Sequence, residues 1–308
     1  MMYAKQLSSL LLCFGLVAGS KAQSVYTTLA LDPVYQTVPP PNDDFPQDAN
    51  HVRVVSIILL ATSLIFVIIS FRESQRWGST VPVVLTVGSA SFVLVEAVNC
   101  YMANVYWTVS HDPSKLMFTL LGRQFDIYVG IIWWSYGAVL SCGIFGALQR
   151  NPQTGTLWAL LAFSGLLDII LEEAMLTYGG IYIYYGHQPL VFNLFPCWWA
   201  FCNVSSIFVG ISVTYRYRSW LEGWKSFLVP LILPLCYAGS QVLTALPTIY
   251  AIQANYHPLI TQLCGVMSCT LAIVQVAVIM DTFLARDPTR LSQAGRNSQS
   301  QLAHQKLP

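Results

Sequence analysis

Three carboxyl residues, Asp168, Glu172 and Glu173, fall inside an apolar stretch running from about 155 to 178, and a fourth, Glu96, falls inside another. An ionised carboxylate at the centre of a bilayer costs roughly 2.5–3.5 kcal/mol, so such residues usually face a bundle interior, a water-filled cavity or a substrate. Asp168 and Glu172 are four apart and share one helical face, whereas Glu173 points about 100° away. Acids removed from water favour their neutral form, and close neighbours share a proton. A neutral carboxylic acid in a dry pocket is a general acid, a role worth about 10²–10⁴ in rate. Such an acid protonates an epoxide oxygen far more readily than an unactivated alkene. Aromatic walls would face the resulting cation, each contributing on the order of 0.5–2 kcal/mol, and exclusion of water would prevent its premature capture. The chemistry these residues suggest is therefore protonation-initiated cyclisation of an epoxide-bearing prenyl chain. The structural alternative is that Asp168, Glu172 and Glu96 serve as hydrogen-bonded glue between helices.

The elements that would position these acids are membrane helices. Hydrophobic residues make up 55% of the 308-residue chain and charged residues 9%, against roughly 25% charged in soluble domains. Seven apolar stretches of spanning length occur at about 53–71, 80–101, 125–148, 155–178, 196–215, 226–250 and 259–284. The expected fold is an all-α polytopic membrane protein, with a seven-helix membrane domain over 52–285. Residues 1–22 read as a signal peptide, with Lys5, an apolar core from Leu10 to Ala18 and a small-x-small site at Ser20-Lys21-Ala22; a retained signal anchor is the alternative. Residues 23–51 read as an exposed Pro-rich lumenal tail, and 286–308 as a disordered cytoplasmic tail.

With the N-terminus outside, the inner segments and the tail carry ten of the fifteen basic residues, and the outer segments carry only Arg53, Lys115 and Arg123. The positive-inside rule favours that orientation, in endoplasmic reticulum or another endomembrane. Helix direction then gives each polar residue a depth. Glu96, Asn99, Glu172, Trp133, Trp134, Trp198, Trp199 and Asn203 all fall in the outer half, and Asp168 falls near mid-depth. The outer connection 179–195 adds Tyr182, Tyr184, Tyr185 and His187. Trp133, Trp134, Trp198, Trp199, Tyr185 and Asn203 are the candidate substrate-binding residues. The bland reading of the aromatics is an interfacial belt, and that of His187 and His257 is plain loop residues.

Several chemistries are excluded. The lysines, at 5, 21, 115, 225 and 306, leave no retinal Schiff-base position within a helix. All five histidines fall in tails or loops, and no CxxC, HExxH or phosphate-binding glycine loop occurs, so no cofactor or metal is expected. No DDxxD motif occurs on the helices, which argues against ionisation of a diphosphate. A net charge of +1 gives no sign of a nucleic-acid partner; the expected partners are the lipid bilayer and a lipophilic small molecule. Cys100 and Cys197 fall near the outer face, where an oxidising compartment would allow pairing. The sequon Asn203-Val204-Ser205 lies within a stretch, which argues against its use.

The acidic segment Asp168 to Glu173, followed by Tyr-Gly-Gly-Ile-Tyr-Ile-Tyr-Tyr-Gly-His-Gln-Pro-Leu (178–190) and Pro-Cys-Trp-Trp-Ala-Phe-Cys-Asn (196–203), resembles fungal integral-membrane terpene cyclases of meroterpenoid pathways. The resemblance covers most of residues 50–285. It implies a cofactor-independent cyclase acting on the epoxidised farnesyl chain of an aryl meroterpenoid, an epoxyprenyl phenol, in secondary-metabolite biosynthesis. It carries over no catalytic residues. On the physical argument, Glu172 is the acid, with Asp168 or Glu96 as its hydrogen-bonded partner. The competing readings are a proton-coupled transporter or permease, which would need a polar path across the whole membrane, and a seven-helix receptor, for which the inner loops are short.

Overall fold

A computed structural model describes residues 47–254 and 256–285. The signal-peptide segment 1–22, most of the 23–51 tail and the tail from 286 lie outside the described residues. The described chain is an all-α polytopic membrane protein, 75% helical, with six helices long and apolar enough to cross a membrane. Helix α1 runs over Ala49–Trp77, starting where Asp48 accepts from the amides of Asn50 and His51 at 2.9 and 3.0 Å. These bonds satisfy orphan amides of the first turn and hold the Asp48 carboxyl below its usual range. Residues 49–51, the end of the expected tail, are exposed and form the first turn of this helix. Helices α2 (Val81–Gly88) and α3 (Val93–Ala103) form one span, joined by a tight 3₁₀ turn at Ser89–Phe92. Helices α4 (Ile127–Gln149), α5 (Thr154–Ala174), α7 (Val229–Gln253) and α8 (Pro258–Val278) account for the other four.

Helix α6 (Trp198–Arg216) corresponds to the fifth expected stretch. It is the more polar one, carrying Asn203, Ser205, Ser206 and Ser212, and it falls outside the six. Its position explains the polarity: fifteen of its nineteen residues are buried, and it packs against α4, α5, α7 and α8. Interior helices can carry hydroxyls that hydrogen-bond to their neighbours. Ser206 meets Ser240 of α7 at 3.1 Å, and Thr248 of α7 meets Ser268 of α8 at 2.8 Å. At the periphery, α1 has only 11% of its most apolar window buried and exposes Ile57, Ile58, Ile65, Ile68 and Phe71. An apolar surface of that extent suits a hydrocarbon solvent.

Two short antiparallel ribbons, absent from the all-α expectation, sit at one end of the bundle. Strand β1 (Val105–Trp107) pairs with β4 (Tyr182–Tyr184), and β2 (Leu116–Leu120) pairs with β3 (Arg123–Asp126). The aromatic and β-branched residues of Val105-Tyr106-Trp107 and Tyr182-Ile183-Tyr184 favour strands. The opposite end is closed by Glu222, which accepts from the Ser79 hydroxyl and from Thr80 at the start of α2, and by an Arg150–Glu73 pair at 2.8 Å.

The turn between α2 and α3 brings Glu96 inward. Ser89 and Ser91 each donate to a carbonyl three residues back, at 2.7 Å, a bond that competes with the helix ladder and bends it. Gly137 of α4 fits against that bend; a Cβ there would lie 2.8 Å from both Phe92 Cδ2 and Ser89 Cβ. Gly143, on the same helix, has open space. Gly137→Ala should therefore lower the thermal midpoint of the detergent-solubilised protein, an overpacking cost of about 1–3 kcal/mol outweighing the helix-propensity gain. Gly143→Ala should leave it unchanged or raise it; equal effects would show that the contact at Gly137 is not tight.

Candidate active site

Two bridges join the acids of α3 and α5, which do not pack chiefly on each other: α3 lies on α7 and β1, and α5 on α6. The first bridge is the β1–β4 ribbon. Its register sets Trp107 opposite Tyr182, with ring centroids 4.4 Å apart. Trp107 Nε1 donates to Glu96 Oε1 at 2.5 Å, and the Tyr182 hydroxyl donates to Glu172. A single cross-strand pair thus reaches a carboxyl on each of two helices. Burial, followed by the field of Glu172, pushes the Tyr182 and Tyr184 phenols well above their usual range, so both remain protonated.

The second bridge lies deeper. Asn99, one turn beyond Glu96, donates to Glu96 Oε2 at 3.4 Å and to the Tyr237 hydroxyl at 3.2 Å. Tyr237 donates to Asn203 Oδ1 at 2.7 Å, and Gln241 Nε2 donates to the same oxygen at 3.0 Å. Asn203 and Tyr136 both face Asp168. The walls are aromatic: Trp133 lies 5.6 Å from Tyr237 and 6.2 Å from Tyr136, and Phe92 lies 5.3 Å from Tyr237.

The polar network is incomplete at several points, the Gln241 Oε1 atom among them. Asp168 Oδ2, the Tyr136 hydroxyl, the Trp133 indole N–H and Asn99 Oδ1 are all buried without a hydrogen-bond partner. The Trp133 indole approaches Glu96 without reaching bonding geometry. Buried polar atoms in folded proteins are overwhelmingly paired, and an unpaired one costs about 1–3 kcal/mol. Four of them around one aromatic-walled core have the chemistry of a site completed by water or a ligand. Beside it, an apolar cavity of about 220 Å³ opens between α5, α6 and α8, lined by Trp158, Gly165, Ile169, Ala200, Val204 and Ala272 among others. Ile169 follows Asp168 in sequence and Val204 follows Asn203, so the cavity borders the turns that carry the acid and its amide neighbour.

The candidate residues divide. Glu96, Asp168, Glu172, Trp133 and Asn203 converge as described. Trp199 shares the helical face of Asn203, four residues on, and stacks edge-to-face on Trp198 at 5.0 Å. Trp134 leaves the group: its indole donates to the Thr86 carbonyl at 3.2 Å, on the side facing α2. Tyr185 also leaves it, accepting from Arg123 Nη2 at 2.8 Å in the loop region. Where the sequence predicts a bond from Glu172 to Asp168 or Glu96, its carboxylate instead accepts from the Tyr182 hydroxyl, which the ribbon delivers to the end of α5. Tyr136, Trp107 and Tyr237 join the site beyond the sequence expectation. Tyr237 and Gln241 carry the same signal as Asp168 and Glu172, two polar groups four apart in an apolar stretch; Trp107 carries none, because only the ribbon register brings it to Glu96.

Glu173 has a different task. Its carboxylate accepts from the backbone amides of Asn193, Leu194 and Phe195 at 2.9–3.0 Å, and from the Asn193 side chain at 3.2 Å. It clamps the loop before α6. Cys100 and Cys197 are both free, the former donating to Glu96 at 3.4 Å. Asn203 is 2% exposed, so the sequon is closed to glycosylation. His187 is half-buried, and burial lowers its imidazole below the usual value. Among the described residues, no three His, Cys, Asp or Glu side chains converge as a metal site. Comparison with protein families, curated proteins and solved structures gave no match.

The division of roles is measurable by hydrogen exchange. Glu173→Ala should speed exchange of the amides at 193–195, which lose their acceptor, while Glu172→Gln should leave those amides protected. Equal protection in both variants would remove the clamp role.

Proposed function

We propose that the protein is a membrane-bound terpene cyclase that protonates an epoxidised prenyl chain of a meroterpenoid and closes it into rings. The observation that carries this reading is the core in which carboxyl groups from two helices meet aromatic walls and unpaired buried polar atoms. The apolar cavity that borders the same turn of α5 through Gly165 and Ile169 supports it, because a hydrocarbon chain fits there. In this reading α6 is the seventh span, the ribbon end is lumenal and the C-terminus cytoplasmic, in an endomembrane.

Among the three acids, bonding state distinguishes the roles. Glu96 accepts from Trp107, Asn99 and Cys100, and Glu172 accepts from Tyr182. Asp168 keeps Oδ2 free and is the carboxyl that presents a proton to the epoxide oxygen. Glu172 then becomes a charge-balancing neighbour, in place of the acid expected from helical spacing. Proton transfer opens the C–O bond and leaves a hydroxyl and a tertiary cation. The π bonds of the chain attack in turn, and the last cation loses a proton to the Asp168 carboxylate or is closed by an internal hydroxyl, whose proton the same carboxylate takes. No atom is gained or lost, so substrate and product are isomers. Trp133, Tyr136 and Tyr237 face the positive charge while it exists.

Membranes from a host expressing the chain, supplied with an epoxyfarnesyl phenol, should yield a cyclised product of unchanged mass. Asp168→Asn should reduce its formation by about 10²–10⁴, and Glu172→Gln by a smaller factor. Undiminished product from both variants would remove these acids from the mechanism.

A further inference from the structure

A second cavity, of about 260 Å³, lies at the ribbon end, lined by Tyr101, Trp107, Arg123, Gln124 and Phe125 among others. Arg123 is its cation. One end of its guanidinium donates to the Val105 carbonyl and the other to the Tyr185 hydroxyl, while its central carbon lies 4.3 Å from the centre of the Tyr101 ring. None of these partners is anionic. The ion pairs among the described residues join His51 to Asp48, Arg76 and Arg150 to Glu73, and Lys115 to Asp112, and none includes Arg123. Two of the five donors of a guanidinium are used in the two bonds, and its planar fork matches a carboxylate or phenolate.

An uncompensated positive charge in a partly buried setting attracts an anion more strongly than one in water. Half of its lining residues, Tyr101, Tyr106, Trp107, His111 and Phe125, carry rings, which suit a flat ligand. We infer that this cavity binds an aromatic ring bearing a carboxylate or phenolate, with the oxyanion on Arg123 and the ring against Trp107 and Tyr101. Trp107 is the shared wall, since its indole N–H is the one that holds Glu96. A head group bound here would sit next to the acid cluster at the moment its chain reacts. Assigning that head group to the cyclase substrate rests on the reading above; the binding itself does not.

The test measures equilibrium binding of radiolabelled benzoate to the full chain in phosphatidylcholine nanodiscs. Binding should saturate, and benzyl alcohol, which has the ring without the charge, should compete at least about 10-fold more weakly, as expected for loss of a charge-assisted pair. Arg123→Gln should weaken benzoate by a similar factor. Because Arg123 also holds Val105 and Tyr185, a second variant, Gln124→Trp, fills the cavity from an exposed strand position and leaves those bonds in place; it should abolish binding. Absence of benzoate binding to the unaltered protein, or full binding to Gln124→Trp, would overturn the site. Displacement of benzoate when phosphatidylglycerol is added to the discs would reassign it to a lipid phosphate. A protein that cyclises the prenyl epoxide yet binds no benzoate loses this site and keeps its activity, so the two readings fail separately.

Discussion

A carboxyl group in an apolar bundle persists only if the fold brings it donors, and here two of the acids receive theirs from one cross-strand pair. Trp107 and Tyr182 face each other across the β1–β4 ribbon, and each reaches a different helix. A strand's side chains alternate between faces, so a register slip of one residue would break the Trp107–Tyr182 pairing and turn the donor on the slipped strand away from its acid. The ribbon is short, but the arrangement of the carboxyl cluster depends on its register more than on direct packing between α3 and α5.

That dependence separates the acids by how completely they are bonded. Interhelical glue has its bonds made, and Glu173 fits that description completely, with three backbone amides and a side-chain amide on one carboxylate. Glu96 is close to it. Asp168 is not, because one oxygen stays unpaired alongside the Tyr136 hydroxyl and the Trp133 indole. Leaving a buried polar group unpaired opposes folding, and Ser141, Trp158 and Ser212 elsewhere in the bundle carry the same cost. What distinguishes Asp168 is that its unpaired oxygen is grouped with the unpaired atoms of Tyr136, Trp133 and Asn99.

The sequence made the helices legible because hydrophobic runs of spanning length are long, uninterrupted signals. It made the acids legible for the complementary reason, as they interrupt those runs. The ribbons were not legible: three-residue strands whose partners lie 77 residues apart, as Val105 and Tyr184 do, leave no local period. Trp133 and Trp134 show a finer limit. Adjacent helical residues point about 100° apart, so only one of them could face the core, and the choice is made by where α2 lies. Tyr185 shows another, since it lies in a connection between helices and its partner, Arg123, comes from a distant hairpin.

The placement of Asp168 on α5 also follows from what that helix gives up. Only 22% of the most apolar window of its span is buried, against 61% for α4, and Phe163, Leu166 and Ile170 face outward. A helix with so little buried surface is held by few contacts, which places it toward the less stable end of the fold. It also ends in a π turn at Met175–Gly179, a wider helical register often found at functional sites. The turn follows directly on Glu172 and Glu173, and within a few residues the chain enters β4, where Tyr182 returns to Glu172. The acid-bearing helix is therefore anchored at its ribbon end by Glu172 and Glu173 and is loosely packed along its length, beside the apolar cavity.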